Sequence, residues 1–178
     1  MILGMSLSTF TLAHVLLSLA GIGSGLLVVY GLLLGRRFDG ATAIFLVTTV
    51  LTSLTGFLFP FERVLPSHVL GILSLAALVV AMMARYARYL AGAWRPTYVV
   101  CAVAALYFNV FVLVAQIFLK VPAAHALAPT QKEAPFAVVQ LLVMAIFIVL
   151  GFSVARRMHP ETLQGITTYP SVPQSTKR

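Results

Sequence analysis

The chain has 178 residues, 61% hydrophobic and 9% charged, with a mean hydropathy of +1.03. A soluble domain is about one-quarter charged, so this composition cannot cover a water-facing surface and excludes a soluble globular protein. The formal charge of +8 comes from 12 Lys and Arg against 4 Asp and Glu; the basic residues lie between apolar runs, so they are assigned to membrane orientation and anionic lipid head groups, and no nucleic-acid partner is expected.

The opening stretch MILGMSLSTFTLAH has no Lys or Arg and therefore lacks the basic region of a secretory signal. The apolar run that follows reaches Leu34, longer than a signal core, and predicts a retained helix over residues 11–35. Further apolar runs predict helices over 41–59, 67–90, 97–119 and 136–155, each long enough to cross a bilayer. The expected fold is thus all-α: a polytopic integral membrane protein built as one five-helix transmembrane bundle over residues 1–157. Residues 158–178 are polar and proline-bearing, and are expected to form a flexible cytoplasmic tail.

The connections set the orientation. Nine basic residues (Arg36, Arg37, Arg85, Arg88, Arg95, Arg156, Arg157, Lys177 and Arg178) fall on one side, and three (Arg63, Lys120 and Lys132) on the other. The positive-inside rule then places the amino terminus outside and the carboxyl terminus in the cytoplasm, as in a bacterial inner membrane. Tyr86, Tyr89 and Trp94 flank the inner boundary, while Phe57, Phe59 and Phe61 flank the outer one.

Helical spacing sorts the polar residues onto faces. His14, Ser18, Gly21 and Gly25 share a face of the first helix, and Gly21–Gly25 forms a GxxxG pair of the kind that marks close helix contact. In the second helix Thr48, Thr52 and Thr55 fall together, with Thr49 and Ser53 beside them. These hydroxyls read either as a packing seam or as one wall of a polar cavity. The fourth helix carries Ala102, Ala105, Asn109, Gln116 and Lys120 in one stripe. On the fifth, Gln140 aligns with Met144 and Gly151, with Glu133 on the extrapolated line. Polar side chains are costly in hydrocarbon unless they face protein or water, so these stripes are expected to point inward. His14, Ser18, Thr55, Gln116, Lys120 and Gln140 fall in the outer half and Asn109 near mid-depth, which predicts a polar pocket opening outward.

Pro66 and Ser67 read as a helix start with Ser67 as N-cap, placing His68 at a depth comparable to His14. The two histidines are candidate ligands for haem or a metal ion; the alternative is that they hydrogen-bond neighbouring helices. The longest outer connection holds His125, Gln131, Lys132 and Glu133 and is either a lid over the helix ends or a plain connector. The single cysteine, Cys101, excludes an intrachain disulfide. No P-loop, nucleophile elbow, HExxH or paired-carboxylate pattern occurs, so independent catalysis has few candidates.

Three functions fit these residues. The first is binding of a small ligand or cofactor, haem or quinone in type, in the outward pocket lined by His14, Ser18, Thr55, His68, Asn109, Gln116, Lys120 and Gln140. The second is a non-enzymatic subunit or assembly factor whose small-residue faces contact partner subunits or a second copy of the chain. The third is a small transporter, although five helices do not divide into two equal inverted repeats.

Overall fold

The computed structural model describes residues 2, 4–60 and 66–157. The described residues form helices and contain no strand: α1 (Leu7–Leu33), α2 (Asp39–Gly56), α3 (Pro66–Met82), α4 (Trp94–Lys120), α5 (Pro122–Leu127) and α6 (Ala134–Arg157). Five of these helical stretches are long and apolar enough to span a membrane, that of α3 running on through Ala87. Large apolar side chains are exposed along all five, among them Leu16, Val47, Val79, Val100 and Ile148. A surface of that kind is stable in contact with lipid chains. The expected tail at 158–178 and the connection at 61–65, with Arg63, lie outside the described residues.

Three of the differences from the sequence expectation have a clear local reason. The first helix begins at Leu7 because Ser6 caps it, its hydroxyl accepting from the Thr9 amide at 3.1 Å. The helix after the second span starts at Pro66 itself; proline suits a first helical position, where its missing N–H would go unused. Ser67 therefore stands inside the first turn and is not the N-cap. The long connection between α4 and α6 is not plain loop, since Pro122–Leu127 coils into a short helix.

α4 is the hub of the bundle. It packs against α1, α2, α3 and α6, and around it α1 also meets α2 and α6, and α2 meets α3. The core gathers Phe45 and Leu46 from α2, Leu78 and Ala81 from α3, and Tyr98, Val99, Ala105 and Leu106 from α4. Small residues let α1 approach. A Cβ on Gly25 would lie 2.7 Å from Leu106 Cδ1 and 2.8 Å from Phe45 Cδ2, and one on Gly21 would lie 3.0 Å from Thr49 Oγ1 and 3.2 Å from Asn109 Nδ2.

The arginine-rich end is shaped by two helix terminations. α1 closes in a Schellman turn: the Arg36 amide donates to Gly31 O at 2.8 Å and the Gly35 amide to Leu32 O at 3.1 Å, with Gly35 at φ +68°. That left-handed residue is the usual place for glycine after a helix. α3 instead widens into a π turn over Met83–Ala87, and Tyr89 and Leu90 follow it with φ of 51° and 56°. Left-handed backbone is costly for such residues, and Leu90, buried in the core, is held there by its side chain and by its amide on Ala84 O at 2.9 Å.

Candidate functional site

The polar residues of α1, α2 and α4 meet on the faces that these helices turn to one another. His14 Nδ1 lies 2.8 Å from Thr55 Oγ1. One turn further along α1, the Ser18 hydroxyl donates to Asn109 Oδ1 at 2.7 Å. At the next turn Gly21 leaves room for Thr49 and Asn109. A ladder of polar contacts therefore descends from His14 to the Thr49 level.

The hydroxyls also bond within their own helix. Thr55 Oγ1 donates to Leu51 O at 2.7 Å and Thr48 Oγ1 to Ile44 O at 2.7 Å, the carbonyls one turn back. Thr49 Oγ1 and Thr52 Oγ1 are buried and have no hydrogen-bond partner. A buried polar atom left unsatisfied is destabilising, by about 1–3 kcal/mol, so these two hydroxyls are a local cost in the α2 seam.

His14 sits in an aromatic frame. Its ring meets Phe59 edge-on at 5.1 Å between centroids, and Phe59 in turn packs on Phe10 at 5.0 Å. Across the bundle His68, on α3, stacks on Phe57 at 5.7 Å. The two histidines thus stand against neighbouring rings of the segment that ends α2. Phe10 went unselected as a site residue although it lies four positions before His14 and so shares its face. The spacing that groups His14 with Ser18 would have found it.

The remaining candidates divide. Gln140, buried on α6, donates from Nε2 to Phe111 O at 3.1 Å, and its Oε1 is buried without a partner. Gln116 and Lys120 keep to the Asn109 face in register, yet both are exposed, as are Ile117 and Leu119; in the last five residues of α4 only Phe118 is buried. The inward stripe expected of α4 therefore holds at Asn109 and opens out toward Lys120, because the bundle no longer covers that end. The connection after Lys120 is fastened to α4 and does not hang free. Gln131 Nε2 donates to Ala115 O at 2.8 Å, and His125 Nδ1 lies 3.3 Å from Phe118 O. Glu133 accepts from the Thr130 amide at 3.2 Å, the Thr130 hydroxyl at 2.8 Å and the Lys132 amide at 3.0 Å. Although desolvation pulls the other way, these donors hold its carboxyl below the usual carboxylate range.

Among the described residues no group of three or more His, Cys, Asp or Glu is placed to hold a metal ion. No family model, curated protein or solved structure matches the chain.

Proposed function

We propose that the chain binds a small ligand or cofactor of the haem or quinone class at the His14 end of the bundle, and that this end faces outward from a bacterial inner membrane. The reading rests on the proton balance at Thr55. That hydroxyl has one proton, and its 2.7 Å contact with Leu51 O uses it. The 2.8 Å contact with His14 is then made by the imidazole N–H. Nδ1 then carries a proton, and in the neutral imidazole Nε2 keeps its lone pair, the tautomer that a second hydrogen bond fixes in histidines that ligate metals. A half-buried neutral imidazole of this kind suits haem iron or the hydroxyl of a quinol, and Phe59 and Phe10 offer a flat ring an apolar wall. Ser18, Asn109 and Gln140 continue the polar lining, with His68, Gln116 and Lys120 at its margin.

The gently purified protein tests this reading by its absorption spectrum and by solvent extraction for quinones. A haem band or a bound quinone that His14→Gln loses is the expected result; a colourless, quinone-free wild-type protein would sink it. The outward orientation rests on the nine-to-three division of basic residues. Reporter fusions after Arg37, Trp94 and Ala128 should read cytoplasm, cytoplasm and outside, and a cytoplasmic signal after Ala128 would reverse the assignment.

A second reading, a non-enzymatic subunit or assembly factor, has its own support. Ser18–Asn109, Ser53–Ser74 at 3.3 Å and Gln140–Phe111 all spend polar groups on contacts between helices. Such bonds fix packing without needing a guest. Partner subunits that copurify with a colourless preparation are the outcome this reading expects.

A further inference from the structure

The opposite end of the bundle carries a second feature that the reading above does not use. A cavity of about 160 Å³ opens there, lined by Leu32, Gly35, Arg36, Arg37, Arg95 and Arg157. That volume is roughly ten times the minimum that holds one water molecule. The four guanidinium groups come from three places in the chain. Arg36 and Arg37 follow the Schellman turn of α1, Arg95 stands in the first turn of α4, and Arg157 is the last residue of α6.

The charge around this cavity is not balanced by its own walls. Among the described residues no carboxylate lines it. Asp39, the acidic side chain nearest in sequence, is ion-paired with Arg85. Of the four arginines, Arg157 has a strong acceptor, its Nη1 donating to Leu33 O at 2.6 Å. Arg95 Nε is buried and has no hydrogen-bond partner. The first turn of α4 contains no acidic residue, and no side chain caps it, so the positive end of that helix adds to the same field. Arg36, Arg37 and Arg157 are exposed and Arg95 is half-buried; like charges around one hollow repel, and a buried guanidinium N–H without an acceptor is costly.

We propose that this cavity is a binding site for a phosphate ester, held as the head group of an anionic phospholipid. The planar fork of arginine matches two phosphate oxygens at once, and several such forks around one hollow can take a phosphate on more than one side. The lipid source is favoured by the surroundings: Leu32 lies in the cavity wall, while Tyr30 on α1, Leu34 just after it and Phe152 on α6 are exposed, largely apolar side chains, a surface along which acyl chains can lie. The proposal is narrower than a basic face attracted to a charged membrane. It assigns one saturable site to the arginines that line the cavity and none to those beside it. Arg88 and Arg156 are those neighbours: Arg88 stacks over Trp94 at 5.2 Å and Arg156 over Phe152 at 4.0 Å.

Native mass spectrometry of the full chain in a non-ionic detergent tests the assignment, with phosphatidylglycerol, phosphatidylcholine and inorganic phosphate as probes. Expected is one phosphatidylglycerol retained per chain, with affinity lowered about tenfold or more by Arg95→Gln and by Arg36→Gln. Arg88→Gln and Arg156→Gln, which remove the same charge next door, should retain it. Arg157→Gln joins the series only as a third variant, because it also frees the Leu33 carbonyl. Inorganic phosphate that binds with the same variant pattern and displaces the lipid would uphold the phosphate site and move its source to the free ion. Equal losses across Arg36, Arg88, Arg95 and Arg156 would show diffuse attraction and overturn the proposal. Retention of phosphatidylcholine as strong as that of phosphatidylglycerol, or binding of neither lipid nor phosphate, would overturn it as well.

Discussion

Asp39 and Arg85 are 46 positions apart and form an ion pair that ties the first turn of α2 to the π turn that ends α3. The two partners are unequally placed: the Arg85 side chain is 12% exposed and that of Asp39 78%. The guanidinium also lies 5.6 Å from the Tyr86 ring and 5.7 Å from that of Tyr98, which is fully buried. Arg85 therefore depends on Asp39, while Asp39 has solvent or head groups to fall back on.

This asymmetry sets the first prediction. Asp39→Asn leaves a mostly buried positive charge without its counterion and should lower stability by about 1–2 kcal/mol, a figure reduced for the exposure of Asp39. In an Arg85→Met background the same Asp39→Asn change should cost almost nothing. Thermal unfolding of the four proteins in one detergent measures the coupling. Additive losses would mean that the pair is a surface contact with no hold on the turn.

The approach of α1 gives a second prediction, with a control inside the same helix. Gly23 has open space around it, so Gly23→Ala should be neutral or stabilising, since alanine is favoured over glycine in a helix by about 1 kcal/mol. Gly25→Ala gains the same propensity but drives a methyl group against Phe45 and Leu106, both almost fully buried. Overpacking of a tight core costs about 1–3 kcal/mol, so Gly25→Ala should be clearly the less stable. Gly21→Ala belongs between them, because its neighbours are the polar tips of Thr49, Thr48 and Asn109. Equal melting temperatures for the three variants would contradict the close packing of α1.

What was legible in the sequence follows from which forces leave a periodic mark. Long apolar runs show directly in the hydropathy, so the five helices long and apolar enough to cross a membrane could be read from the sequence. Helical spacing and a count of residues from each end also group His14 with Ser18, and Thr55 and Asn109 with their own stripes. Four features leave no such mark. Ser6, Ser8 and Thr9 look like loop because their polarity hides the turn that the Ser6 hydroxyl caps. The π turn at Met83–Ala87 adds a residue to the backbone spiral without altering composition. The open end of α4 at Gln116 and Lys120 depends on how far its neighbours extend, which spacing within α4 cannot reveal. The Asp39–Arg85 pair was equally invisible, since each residue reads alone as a boundary charge.

Glu133 supplies the pH dependence. Its carboxyl is held low by the Thr130 hydroxyl and by the Thr130 and Lys132 amides, which outweigh desolvation. A carboxyl depressed in the folded state contributes stability that is present above its unfolded value and is lost as pH falls through the folded one. The turn at 130–133 should therefore stay closed at neutral pH and loosen only below the ordinary carboxylate value of 4.5. Hydrogen-exchange protection of the Thr130 and Lys132 amides reports the opening. Glu133→Gln should show weakened protection at every pH, and protection that is indifferent to both acid and substitution would remove Glu133 as the clasp of this connection.

The two threonines that bound the polar ladder distinguish packing from ligand binding. Valine has nearly the shape of threonine and lacks the hydroxyl. Thr48 bonds only carbonyls of its own helix, Ile44 O at 2.7 Å and Phe45 O at 3.4 Å, so Thr48→Val should change stability little and any bound ligand not at all. Thr55→Val also removes the acceptor for His14 Nδ1. The imidazole then loses the bond that orients it, and its proton is free to move to Nε2, where it would block the lone pair. Interhelical hydrogen bonds in membranes average about 0.6 kcal/mol, so the stability loss should be modest for Thr55→Val too. Its ligand retention, however, should fall well below that of Thr48→Val. Cysteine placed at each position in a Cys101→Ser background measures access independently. A membrane-impermeant thiol reagent applied from the His14 side should label position 55 and spare position 48. Equal ligand retention in the two valine variants, with both cysteines protected, would mean that the ladder is only a packing seam and would favour the subunit reading.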